Sequence, residues 1–182
     1  MQPKKKWEEP SAAYSSEPTP EAVSPAAEQL YESALKALAR RPLSVRELER
    51  RLFKSCHDTA AVGRVVERLK TAGYLDDRKF AEDFLQSSVR RKAQGKAYLE
   101  QQLLSRGLDS AIVREALDKA YPTEVEQTLL QRAIERKLRS LPPPMDAKKL
   151  SRLYNHLLRS GFPSDLIRLE LRQHVAMEVD SD

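Results

Sequence analysis

A single cysteine, Cys56, leaves this chain without an intramolecular disulfide and without the thiolates for a cysteine-based zinc site. Glycine is equally scarce, at 5 residues, and aromatics make up 6%. Thin β-branched and aromatic content disfavours a large sheet. No apolar run approaches the roughly 18 residues that a membrane span needs. The opening Met1-Gln2-Pro3-Lys4-Lys5-Lys6 has no apolar stretch behind it, so no secretory signal is visible and the expected compartment is the cytoplasm. The three histidines, His57, His156 and His174, stand in separate segments with no HExxH or CxxC spacing. No glycine-rich phosphate loop and no GxSxG elbow occurs. Cys56 adjoins His57, but neighbours at i, i+1 seldom align as nucleophile and base. The one carboxylate pair, Asp76-Asp77, suits a helix cap and a first-turn residue favoured by the helix dipole. These shortages exclude the usual catalytic constellations, and the expectation is a protein with no cofactor, no metal and no reaction of its own.

What the chain does have is leucine, alanine, glutamate, arginine and lysine, in amphipathic runs that read as helix. Residues 1–25 hold Pro3, Pro10, Pro18, Pro20 and Pro25 among Ser, Ala and Glu, too little apolar surface to order. That segment reads as a disordered tail, with Trp7 and Lys4-Lys5-Lys6 as a candidate docking motif. After it come three rounds of three helices. The first, 26–75, carries Leu30, Ala34, Leu35 and Leu38 on one face, then Ser44-Val45-Arg46-Glu47 as a capping box. Val62, Val65, Val66 and Leu69 follow at i, i+3, i+4 and i+7, and Gly73 ends the round. The second round, 76–122, opens on Asp76 as cap, with Phe80, Ala81, Phe84 and Leu85 behind it. It continues through Leu99, Leu103 and Leu104 to Gly107 and closes at Tyr121-Pro122. The third, 123–176, opens on a second capping-box string, Thr123-Glu124-Val125-Glu126, and passes the Pro142-Pro143-Pro144 stop. Residues 177–182 form an acidic tail.

The rounds are related in sequence. Leu99 to Leu108 lies over Leu153 to Phe162 at one offset (153 − 99 = 54, 161 − 107 = 54), and Leu117 meets Leu171 without a gap. The fold class is therefore all-α, tandem three-helix modules of about nine helices in an elongated, curved arrangement.

Positive charge collects on these helices. The formal net charge is +5, which permits nucleic acid or an acidic protein surface as partner without demanding either. Arg132, Arg136 and Arg139 form a stripe at i, i+4, i+7; Arg90, Arg91, Lys92 and Lys96 cluster at a helix end and link; Lys148, Lys149, Arg152 and Arg159 make a third patch. A solvated helix face and a track for phosphates or acidic side chains are both compatible with the stripes.

The run Gly73-Tyr74-Leu75-Asp76-Asp77-Arg78-Lys79-Phe80-Ala81-Glu82-Asp83-Phe84-Leu85 resembles the signature of the RecX family of bacterial recombinase regulators. The basic link Arg90 to Lys96 and the helix Leu99-x-x-x-Leu103-x-x-x-Gly107-Leu108 continue the likeness, which covers about 34–173. Ser88 stands where the family often has a basic residue, with Arg90 and Arg91 nearby instead. The resemblance implies a monomeric protein that binds RecA and its nucleoprotein filament, lying in the filament's helical groove. It further implies lowered RecA ATPase, strand-exchange and co-protease activity in DNA repair, recombination and the SOS response, with direct contact to DNA phosphates as an option. On that reading Arg90, Arg91, Lys92, Lys96, Arg132, Arg136 and Arg139 make the contacts. Gly73, Tyr74, Leu75, Asp76, Asp77, Phe80, Ala81 and Phe84 serve structure. The competing reading is a helix-turn-helix transcription regulator over 43–75, whose β-wing should follow Gly73.

Overall fold

The computed structural model describes residues 25–91, 93–140 and 146–179, with side chains described up to His174. The 1–24 stretch with Trp7, the candidate Lys92, the triple-proline stop and the last three residues lie outside the described residues. Nine helices fill the described chain: α1 (Pro25–Arg40), α2 (Val45–Phe53), α3 (Thr59–Thr71), α4 (Asp77–Arg91), α5 (Lys96–Ser105), α6 (Ser110–Ala120), α7 (Thr123–Leu138), α8 (Ala147–Arg159) and α9 (Ser164–Val179). The described residues contain no strand, and α4 begins where the wing of a helix-turn-helix regulator would have to start.

Local chemistry explains most helix ends. Ser44 and Glu47 form the expected reciprocal box: the Glu47 N–H donates to Ser44 Oγ at 3.1 Å and the Ser44 N–H to Glu47 Oε2 at 3.2 Å. Asp58, Asp76, Asp109 and Asp146 each accept first-turn amides of the helix that follows. A cap of this kind stabilises a helix by about 0.5–2 kcal/mol. Gly73, Gly107 and Gly161 close α3, α5 and α8 at φ +74°, +89° and +86°, the left-handed region that favours glycine. Behind each, an N–H reaches back across the last turn, as in Tyr74 to the Leu69 carbonyl at 3.0 Å.

The second expected capping box does not form. Thr123 is already helical, Pro122 occupies the N-cap without a side-chain bond, and the Glu126 carboxylate turns away from its own helix. It accepts instead from the Lys96 N–H at 2.8 Å, the first amide of α5. Pro122 has no N–H for Glu126 to satisfy, while α5 starts at Gly95, which has no side chain to cap with.

Two apolar clusters hold the helices. Leu30, Ala34, Leu48, Leu52, Val62, Val66, Leu69 and Leu75 form one within α1–α3 and the turn that follows. A second runs unbroken through α4–α9, from Phe80, Leu85, Leu99 and Leu103 to Ile134, Leu157 and Ile167. Each fully buried leucine contributes about 1.5–3 kcal/mol. Glu170, 1% exposed, sits at the α7–α9 seam, where the amides of Gln127 and Gln131 donate to it at 2.7 and 3.0 Å.

One junction is built twice between successive three-helix units. At the first, Ser44 Oγ donates to the Arg106 carbonyl at 2.7 Å, and the Val45 N–H donates to Asp77 Oδ1 at 2.9 Å. At the second, the Gly95 N–H donates to the Ser160 carbonyl at 2.8 Å, and the Lys96 N–H goes to Glu126. Ser44 and Gly95 are the N-caps of α2 and α5; Arg106 and Ser160 are the C-caps of α5 and α8. In both cases the start of one unit's middle helix rests on the glycine turn of the next unit, and an acid from that next unit caps it. The approach is tight: a Cβ at Gly95 would lie 2.1 Å from the Gly161 carbonyl oxygen, and one at Gly161 2.3 Å from Tyr98 N. A repeated junction of this kind orients equivalent surfaces of successive units alike.

Candidate functional site

The six basic candidates among the described residues fall into three situations. Arg90 and Arg91 are exposed at the end of α4, and Arg90 lines a shallow groove between α4 and α6 with Glu82, Asp83, Gln86 and Lys119. Lys96 is tied down: its Nζ pairs with Asp118 Oδ1 at 2.8 Å, and its backbone amide is the one held by Glu126. Arg132, Arg136 and Arg139 are exposed along α7. Arg139 pairs loosely with Glu135 at 3.7 Å, a solvent-screened contact worth little. Among the described residues Arg90, Arg91, Arg132 and Arg136 have no ion-pair partner.

His156 joins the α7 stripe to α8. Its imidazole is half-buried, and its pKa is held below the ordinary value, first by burial and then by Lys137, Arg159 and Arg136. Every charged group acting on it is a cation. Those cations come from both α7 and α8, a combination that helical spacing within either helix alone does not reveal.

Several motif residues pack into the core or at the first junction. Leu75, Phe80 and Ala81 are buried, and Phe84 packs half-buried on Phe80 with ring centroids 6.4 Å apart. The Arg106 guanidinium lies over both rings, 5.7 and 5.2 Å from their centroids, and pairs with Glu47 across the first junction at 3.4 Å. Asp77 does more than favour the dipole: it caps α2 of the preceding unit, and burial pushes its carboxyl pKa up. Tyr74 departs from the core role expected of it. It is 61% exposed, because Gly73 turns the chain so that Leu75, the next residue, enters the core.

Two further surface residues escaped the helical pattern. Leu104 and Leu158 are 41% and 38% exposed at equivalent positions (158 − 104 = 54), each following a buried leucine. Leu104 lines a cleft of about 460 Å³ at the first junction, with Arg46, Glu49, Asp77 and Asp109. Among the described residues no three His, Cys, Asp or Glu side chains converge as metal ligands.

Comparison with known proteins agrees with the tandem architecture. Models of the first, second and third three-helix domains of RecX match residues 31–69, 76–117 and 124–169. The regulatory protein RecX of Halorhodospira halophila is 35% identical over 143 residues, 79% of this chain and 86% of that protein. The Chlorobaculum tepidum protein of the same name is 36% identical over 135 residues, 74% and 81% of the two chains. Against that of Oceanobacillus iheyensis, 27% identical, the chain spans 52% of the relative's length. The crystal structure of RecX from Lactobacillus salivarius superposes with a TM-score of 0.71 at 18% identity, covering 81% of this chain and 95% of that one, a likeness of fold.

Proposed function

The chain belongs to the RecX family of regulatory proteins, and on that footing we propose that it binds the RecA recombinase on DNA and restrains it. The observation that carries this reading is the twice-built junction. A partner that repeats along its length, as a nucleoprotein filament does, presents the same surface at successive protomers. A chain whose units repeat through one junction can meet such a surface more than once, and linked contacts of modest strength then add up to avid binding. The exposed Arg90, Arg91, Arg132 and Arg136 supply charge for acidic groove walls or phosphates, and Leu104 and Leu158 supply apolar anchors at matched positions. The protein acts as a cytoplasmic monomer, by occupancy and not by chemistry of its own, lowering the recombinase's ATPase, strand exchange and co-protease activity.

Charge reversal tests the contact assignment. Arg132→Glu with Arg136→Glu should leave the helical content unchanged, because both side chains are exposed, and should weaken inhibition of RecA's ATPase at least tenfold in the concentration required. Undiminished inhibition by that variant refutes the role of the α7 stripe.

A further inference from the structure

We infer that the first unit, α1–α3, is a hinged body that swings on the backbone joining Leu75 to Asp76 and so closes or opens the cleft lined by Leu104, while the second and third units move as one. The inference rests on this chain's own packing and holds whether or not the protein acts on RecA. It starts from a difference between the two junctions. Both use the same pattern of hydrogen bonds, but only the second has a common apolar core behind it. Leu99 and Leu103 of the second unit share one buried cluster with Leu153, Leu157 and Phe162 of the third. Tyr98 packs on that cluster with its backbone against Gly161, and the hydroxyl of the buried Tyr121 donates to the Gln94 carbonyl beside Gly95. The first unit's cluster, from Leu30 to Leu75, shares no buried or partly buried apolar residue with it among the described residues.

What bridges the first junction is polar. Ser44 Oγ reaches the Arg106 carbonyl, the Val45 N–H reaches Asp77, and Glu47 pairs with Arg106 at 3.4 Å. Water takes the place of such partners when they part, so separating them costs little net. Parting the second junction would instead expose apolar surface. Units of one chain move relative to each other unless the interface between them is large and apolar.

The covalent link is short as well. Leu75 is buried in the first cluster, and α4 begins at Asp77. Asp76 belongs with α4, its Oδ1 accepting the Arg78 N–H at 2.8 Å, so rotation falls between Leu75 and Asp76. Element ends of this kind absorb the backbone changes of a hinge. The cleft of about 460 Å³ gives the swing room, with Arg46 and Glu49 of α2 on one side and Leu104 and Asp109 on the other. Movement of α2 towards α5 covers Leu104, now 41% exposed, and the opposite movement presents it.

Double electron–electron resonance on the full chain compares the two junctions. Arg50 and Gln101 are exposed and stand equally far past the caps Ser44 and Gly95 (50 − 44 = 6, 101 − 95 = 6). Asn155, also exposed, lies at the repeat offset from Gln101 (155 − 101 = 54). In a Cys56→Ser background, nitroxide pairs are placed at Arg50→Cys with Gln101→Cys and at Gln101→Cys with Asn155→Cys. The expected distance distribution is about twice as wide, or wider, across the first junction as across the second. Asp77→Ala should broaden the first further and leave the second unchanged. Residual dipolar couplings of the unlabelled parent chain need no substitution: α4–α9 should share one alignment, and α1–α3 should show a weaker one. Equal widths at the two junctions, or a single alignment for α1–α9, overturn the hinge. So does a first-junction distribution that Asp77→Ala leaves unchanged.

Discussion

Replacing Asp77 by alanine should loosen the first junction, because this carboxylate caps a helix belonging to the preceding unit. Val45 is the first residue of α2, and its N–H, one of the amides a helix cannot satisfy internally, donates to Asp77 Oδ1 at 2.9 Å. Removing a capping acceptor costs about 0.5–2 kcal/mol. In a chain of this size each kcal/mol shifts Tm by about 2–4 °C. Asparagine separates the bond from the charge. Burial raises the Asp77 pKa, so the group stabilises the fold below its unfolded pKa and loses that contribution as pH rises through the folded value. At neutral pH, Asp77→Asn keeps the acceptor oxygen without a desolvated charge and should be at least as stable as the parent, while Asp77→Ala should fall by the full cost of the cap. Thermal unfolding followed by circular dichroism measures the pair. Hydrogen exchange at the Val45 amide reads the bond itself, with protection lost only in the alanine variant. Equal destabilisation by both variants, or unchanged exchange at Val45, refutes the assignment.

Gly161→Ala should cost roughly 1–2 kcal/mol for the left-handed backbone and about 1–3 kcal/mol more for the clash with Tyr98 N. Gly73→Ala, with nothing within 4 Å of the new Cβ, should show only the first part; urea unfolding that ranks the two equally contradicts the junction geometry. Arg106→Ala removes a cation stacked on Phe80 and Phe84 and a partly buried link to Glu47, a loss of about 1–2 kcal/mol. Arg139→Ala breaks only an exposed i,i+4 pair and should change stability by less than about 0.5 kcal/mol. His156 has a lowered native pKa, so its stabilising contribution is full above the unfolded value of 6.5 and lost as pH falls below it. His156→Phe should therefore flatten the fall in Tm between roughly pH 7 and 5; an unchanged slope contradicts the cationic surroundings.

The helices were legible because their signals are local. Ser44 and Glu47 stand at capping-box spacing and form the box; Gly73 and Gly107 stop helices where the periodicity ends. The Thr123–Glu126 string has the same spacing and forms no box, because nothing local says that Gly95 leaves another helix in need of an acceptor. The exposure of Leu104 and Leu158 is hidden in the sequence for a related reason. Adjacent residues on a helix lie about 100° apart, so both members of each leucine pair fit a broad apolar stripe, and only packing decides which is covered. The cations that lower the His156 pKa come from both α7 and α8, a combination that spacing within either helix does not encode. The basic stripe on α7 was visible in the sequence as charge, but the absence of an ion-pair partner for Arg132 and Arg136 among the described residues, and the tethering of Lys96 by Asp118, belong to the tertiary structure.

The central claim is that this chain restrains a RecA filament, and the most direct test is RecA's ATPase rate on single-stranded DNA, titrated with the protein at substoichiometric ratios. The account predicts inhibition well below one molecule per RecA protomer, since one bound chain spans and disturbs a repeating assembly. An unchanged ATPase at ratios up to one per protomer, with no binding to the filament, would contradict it.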